Sequence, residues 1–145
     1  LSQRLVLTGA NVSPQFLQGT CGDVNGAIVN SFLATAWTFL PKTNPVRAQA
    51  ALLRSILKRP VSNFDGDAAG ALWAYKAAIE RGGSATREGI NNALETRLRG
   101  LVTPAGRVFL SRTNHQGLQL DSMWVGRIQN CQVRPLFGAA FTKKK

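Results

Sequence analysis

Residues 4–33 read Arg4-Leu-Val-Leu-Thr-Gly-Ala-Asn-Val-Ser-Pro-Gln-Phe-Leu-Gln-Gly-Thr-Cys-Gly-Asp-Val-Asn-Gly-Ala-Ile-Val-Asn-Ser-Phe-Leu33. Arg4 to Gly9 is a short apolar run closed by glycine, the pattern of a buried strand feeding a loop. Ser13-Pro14 then supplies an N-cap hydroxyl and a proline at the first helical position. The short helix through Phe16 and Leu17 stops near Gly19 or Gly22. Gly26 to Leu33 is a second apolar run. Two strands joined through a helix give the β-α-β rhythm of a parallel sheet, because parallel strands need a crossover.

Downstream the pattern turns helical. Asn44-Pro45 repeats the cap-plus-proline signal, and Val46, Ala50, Leu53 and Leu57 form one apolar stripe with Arg47, Arg54 and Lys58 off it. Pro60 is read as the end of this helix. A second helix is expected from Asp65 or Asp67, with Ala68, Leu72, Tyr75 and Ile79 as its core stripe and Gly82-Gly83 as its stop. Alanines fill most of its other faces, which implies burial on more than one side. Thr86 caps a third helix, with Glu88 near its positive end and Ile90, Leu94 and Leu98 on one face; Gly100 closes it. Gly106 to Leu110 reads as a strand. Leu118 to Ile128 alternates loosely, Asn130 sits at a hairpin turn before Cys131, and Gly138 to Lys145 reads as a solvated tail.

The 145 residues suit one ordinary domain, and a 44% hydrophobic composition is globular. No apolar run reaches the roughly 18 residues of a membrane span. The chain begins without Met and without a charged-then-apolar leader, so a signal peptide is expected to be absent or removed. The net charge of +11 invites a nucleic-acid reading, yet the 18 basic residues are spread from Arg4 to Lys145, with one dense block at Lys143–Lys145. A binding footprint should cluster, so nucleic acid is not the expected partner. Cys21 and Cys131 are too few for a metal site. They either pair in an oxidising compartment or remain buried thiols, and the sequence leaves both open.

Little in the chain carries reaction chemistry. His115, the one histidine, falls in a loop, Thr113 to Gly117, and reads as a surface or hydrogen-bonding residue. Most of the seven acids sit at helix caps or exposed helix faces, and Asp65 with Asp67 is a capping pair. Phosphate-binding glycine loops, nucleophile elbows and His-Glu-x-x-His are all missing. Trp37, Trp73 and Trp124 are read as structural. The expectation is a protein that is not an enzyme and takes no cofactor.

Three segments in combination carry a family resemblance. Gly22-Asp-Val-Asn-Gly26-Ala-Ile-Val is a glycine-flanked bend before a strand. Phe64-Asp-Gly-Asp-Ala-Ala-Gly70 running to Ala77-Ala-Ile-Glu-Arg-Gly-Gly83 is similar to a Tyr-Asp-Ala helix with an Ala-Ile/Leu-Glu-x-Ala/Gly-Gly ending. Thr86-Arg-Glu-Gly-Ile-Asn-Asn-Ala-Leu94 matches the short helix after it. With Gly106-Arg-Val-Phe-Leu110, Asn114-His115 and Val125 to Asn130, these resemble the C-terminal portion of a type I periplasmic solute-binding protein, of the branched-chain amino acid and amide ABC transporter family. The resemblance runs from about Leu5 to Leu136.

The resemblance implies an α/β fold: a partial type I periplasmic-binding-protein architecture, a Rossmann-like parallel sheet with flanking helices, plus a C-terminal β-hairpin. It implies that residues 1–40 belong to a second lobe, 45–110 return to a first lobe, and the hairpin at 118–136 rejoins the second. The first lobe's core strands are then missing, and exposed helix faces and self-association follow if the chain stands alone. The ligand loop by resemblance is Thr8, Gly9, Ala10 and Asn11. Family members that bind amino acids carry an acid there for the ligand's ammonium; this chain has none. Thr8 and Asn11 suit a neutral amide, urea-like or aromatic solute instead. The implied partners are a small-molecule solute and, in the full-length protein, a membrane ABC permease, in a periplasmic or extracytoplasmic setting. Two alternatives stand beside this: a ligand sensor with the same fold, and a basic nucleic-acid-binding domain. Gly66, where the family has Tyr, and Asn130-Cys131, where a hairpin turn normally ends in glycine, depart from the pattern.

Overall fold

The computed structural model describes residues 5–11 and 13–138. Arg4 of the expected first strand and residues 139–145 of the expected tail lie outside the described residues. Strand β1 (Val6–Leu7), helix α1 (Pro14–Thr20) and strand β2 (Ile28–Phe32) form the expected β-α-β unit, with Val6 paired in parallel to Ile28. The Ser13 hydroxyl accepts from the Phe16 N–H at 3.1 Å, so the cap starts the helix as its chemistry requires.

Among the described residues the sheet is mixed, with one parallel pair. Strand β6 (Met123–Gln129) runs antiparallel beside β2, and β7 (Gln132–Phe137) closes the order β1-β2-β6-β7. Period-two alternation puts Trp124, Gly126 and Ile128 of β6 inside. Trp124 is 1% exposed and its indole N–H donates to the Phe32 carbonyl at 2.8 Å, tying residues 92 positions apart. A methyl group at Gly126 would lie 2.4 Å from the Trp124 ring and 2.8 Å from the Arg134 carbonyl, so only glycine fits between them. Pro135 falls in β7, an edge strand where the missing N–H is tolerated.

The β6–β7 turn is Asn130-Cys131, with φ of 49° and 60°, both in the left-handed region. No glycine relieves either residue. Cys131 is instead bonded to Cys21, just past the end of α1, with the Cα atoms 4.9 Å apart. The pairing left open by the sequence is therefore a disulfide, which cross-links the two ends of the sheet unit over 110 residues.

Between β2 and β6 the chain builds the rest of the molecule. A 3-10 segment, Leu33–Phe39, leads to helix α2 (Pro45–Leu57), whose Val46 joins Leu33, Ala36, Leu40 and Trp124 in one buried cluster. The helix ends at Lys58, which takes a left-handed φ of 55°, two residues before the proline expected to stop it. Helix α3 (Asn63–Gly82) starts earlier than expected, because Ser62 and Asp65 form a capping box. Helix α4 (Arg87–Thr96) has the expected Thr86 cap.

Helix α3 corrects the sequence reading most. Its buried positions are Asn63, Gly66, Gly70, Ala74 and Ala78, while Leu72 and Tyr75 are 69% and 52% exposed. Of the stripe expected in the core, Ala68, Leu72 and Tyr75 face outward, and Ile79 is half-buried against the cluster of Ala78, Ile90 and Ala93. The small residues let α3 approach its neighbours at backbone distance: a methyl at Gly66 would lie 2.4 Å from Ala34 Cβ, and one at Gly70 would lie 3.2 Å from Thr103 Oγ1. Leucine or tyrosine on that face would push the helix away.

A second sheet, antiparallel in the order β3-β4-β5, comprises β3 (Leu101–Val102), β4 (Arg107–Ser111) and β5 (Asn114–Leu118). The segment Thr113 to Gly117, expected as a loop, is therefore mostly strand. Ala78, Ile90, Ala93 and Leu98 form the core beneath α3 and α4.

Candidate functional site

The expected ligand loop lies at the C-terminal end of β1, where open α/β sheets place their ligands. Gly9–Asn11 form a single 3-10 turn. Thr8 and Asn11 close on each other: the Thr8 N–H and hydroxyl donate to Asn11 Oδ1 at 3.3 and 3.2 Å, and the Asn11 N–H donates to the Thr8 carbonyl at 2.9 Å. This fixes the Asn11 amide with its Nδ2 uncommitted among the hydrogen bonds of the described residues. Thr8 and Ala10 are exposed, and Gly9 and Asn11 are half-buried. A methyl at Gly9 would lie 3.2 Å from both Ser31 Oγ and Asn63 Cγ, so the glycine lets the loop sit directly on its floor.

That floor is a polar network the sequence reading missed. Ser31 Oγ and the Phe32 N–H donate to Asn63 Oδ1 at 2.9 and 3.2 Å. The Thr35 hydroxyl lies 3.0 Å from Ser31 Oγ and from the Phe32 carbonyl. Asn63 Nδ2 donates to Asp67 Oδ2 at 3.3 Å. Two stretches of chain, 31–35 and 63–67, meet here, and neither has a spacing that announces it. The one available signal was Ser31, a polar residue at an inward position of β2.

The acids divide as their surroundings dictate. Asp65 accepts two 2.7 Å hydrogen bonds from the Arg59 guanidinium and one of 2.9 Å from the Ser62 N–H. Arg59 is the main reason its carboxyl is lowered to about 2. Asp67, two residues on, is half-buried; Oδ1 has no partner among the described residues, and burial raises its pKa. The neighbouring carboxylates thus have separate tasks, one as a cap and the other facing the interior. His115 lies on β5 with Nε2 3.0 Å from Glu95 Oε1, an exposed pairing that fits the surface role expected of it. Trp37 packs against the cluster around Trp124.

A β-α-β unit extended by a long-range antiparallel hairpin, with a helical excursion and a second small sheet between, is the architecture of part of a type I periplasmic-binding protein. No protein-family model and no curated protein matches the sequence. Among solved structures, the chain is similar to an extracellular ligand-binding receptor from Rhodopseudomonas palustris HaA2, with a TM-score of 0.85 at 16% identity over 94% of this chain and 41% of the receptor. It is similar to the leucine-binding protein LivK from Thermotoga maritima MSB8, with a TM-score of 0.72 at 17% identity, covering 93% and 37%. A periplasmic binding protein type 1 from Bordetella pertussis Tohama I gives 0.69 at 14%, covering 92% and 39%. The likeness is one of fold. The chain spans about two-fifths of the length of each of these structures.

Among the described residues no helix is long and apolar enough to cross a membrane.

Proposed function

We propose that this chain is the C-terminal part of a two-lobe solute-binding protein that captures a small polar solute without chemistry and delivers it to an ABC permease. In this reading residues 1–40 and 118–136 belong to the second lobe and 45–110 return to the first. The observation that carries it is the placement of Thr8–Asn11. The loop stands at the end of the parallel β1–β2 pair, with the Gly9 backbone close over Ser31 and Asn63 and the Asn11 Nδ2 uncommitted among the described residues. The similar structures are extracellular ligand-binding receptors and a leucine-binding protein, which supports solute capture over catalysis.

A neutral amide or urea-like solute is the ligand class we favour, since the loop offers hydrogen bonds and no charge. The Cys21–Cys131 disulfide supports an extracytoplasmic setting, because such bonds persist in oxidising compartments.

The test is a thermal-shift screen of the full-length protein containing this chain, against acetamide, urea, leucine, glutamine and benzoate. Ligand at about 100 times its Kd stabilises by roughly 2.7 kcal/mol, a rise of several degrees. Asn11→Ala should weaken the active compound at least fivefold. No stabilisation by any of the five, or an unchanged affinity in N11A, would count against the reading.

A further inference from the structure

We propose that Asn63 is a positioning residue for the Thr8–Asn11 loop. It pins the start of α3 to the end of β2 directly beneath Gly9, so the seat of α3 sets where the loop stands. This rests on the reading of Thr8–Asn11 as the solute loop. In that reading Asn63 lies in the part of the chain that returns to the first lobe, and the loop lies in the second. One buried amide then carries the placement of one lobe to the solute loop of the other.

The contact begins where β1 ends. The pairing of β1 with β2 stops at Leu7 and Val29, whereas β2 runs on to Phe32. The Phe32 N–H donates to Asn63 Oδ1 at 3.2 Å, and Ser31 Oγ donates to the same oxygen at 2.9 Å. One helical turn on, Asp67 Oδ2 accepts from Asn63 Nδ2 at 3.3 Å, which holds the plane of the amide. Asn63 and Ser31 are 8% and 3% exposed, so water has little access to replace these bonds. Gly9 lies against the same amide. A methyl there would be 3.2 Å from Asn63 Cγ and 3.3 Å from the Asn30 carbonyl.

The chemistry of the contact calls for an amide. A carboxylate would keep the acceptor, lose the donor and set a second negative charge beside Asp67. An apolar side chain would leave the Ser31 hydroxyl and the Phe32 N–H without their acceptor. Because Gly9 has no Cβ, a shift of Asn63 passes to the loop backbone and not into a flexible side chain.

The test is ligand-free hydrogen exchange, read by mass spectrometry, on the full-length protein containing this chain. Asn63→Ala should speed exchange in segment 8–11 at least about tenfold, while segments 74–78 and 124–128 stay within about threefold of the wild type. Asn63→Asp combined with Asp67→Asn reverses donor and acceptor in the bond between the two side chains and keeps an acceptor for Ser31 and Phe32. That swap should return the loop to within about threefold of the wild type. Where N63A does not fold, Ser31→Ala makes a smaller cut in the same contact and should speed the loop about threefold. Unchanged loop exchange in a folded N63A or S31A would overturn the proposal. So would equal acceleration of the loop and both reference segments, or a folded swap variant whose loop stays fast. Acetamide titration adds the functional readout: N63A should weaken binding at least about fivefold, and the swap should restore it. If acetamide does not bind the wild type, that failure falls on the solute reading, and the exchange comparison still decides the role of Asn63.

Discussion

Helix α3 offers a paired substitution whose outcome depends on which face is inside. Leu72 is 69% exposed, so less than a third of the side chain is covered. Complete burial of a leucine is worth about 1.5–3 kcal/mol, so Leu72→Gln should cost at most about 1 kcal/mol. Ala78 is 0% exposed and packs with Ile90, Ala93 and Leu98. Ala78→Leu must place three further carbons in that contact, which costs about 1–3 kcal/mol by overpacking. Alanine and leucine have nearly equal helix propensity, so packing dominates the difference. At roughly 2–4 °C per kcal/mol for a chain of this size, A78L should lower the Tm by about 2–12 °C and L72Q by less than about 4 °C. Thermal and urea unfolding followed by circular dichroism measure both, at two protein concentrations to separate folding from self-association. If the Leu72 stripe were the core, the order would reverse, with L72Q costing about 2–5 kcal/mol. An L72Q loss above about 2 kcal/mol together with an A78L loss below about 0.5 kcal/mol would refute the assignment of the small-residue face to the interior.

Further outcomes follow from the same contacts. Reducing the Cys21–Cys131 bond, or replacing both residues by Ser, reopens a loop of 110 residues and should cost about 2–5 kcal/mol in urea unfolding; an unchanged midpoint after reduction would show that the bond does not constrain the unfolded chain. Ser62→Ala removes the hydroxyl that caps α3 and should cost about 0.5–2 kcal/mol, read as a lower Tm. Asp65 has its folded pKa depressed to about 2, so its contribution is present above the unfolded value near 3.8 and is lost as pH falls toward 2. Arg59→Met should therefore flatten the stability-against-pH curve between those limits while leaving its shape near pH 7 unchanged. An acid limb as steep in R59M as in the wild type would remove the Arg59 pairing as its cause.

The parts of the molecule legible in the sequence are those set by neighbours a few residues apart. Ser13-Pro14, Asn44-Pro45 and Thr86 cap helices because a side-chain oxygen and an N–H two or three residues on settle the matter locally. The β-α-β opening, the β6–β7 hairpin and the α/β class were readable for the same reason. Tertiary structure decided the rest. Which face of α3 is buried depends on Ala34, Thr103 and Ala93, distant residues whose approach rewards Gly66 and Gly70 over leucine. The antiparallel seat of β6 beside β2, and β5 in place of a loop, depend on partners beyond any local period.

Thr8 to Asn11 shows the same division at the candidate site. The sequence supplied the loop and its lack of an acid. Only the packing of β2 against the start of α3 brought Ser31 and Asn63 beneath it and left one Asp67 oxygen buried without a partner among the described residues. A hydrogen-bond network between two distant stretches of chain has no sequence period, because its geometry exists only once the helices and sheet have docked.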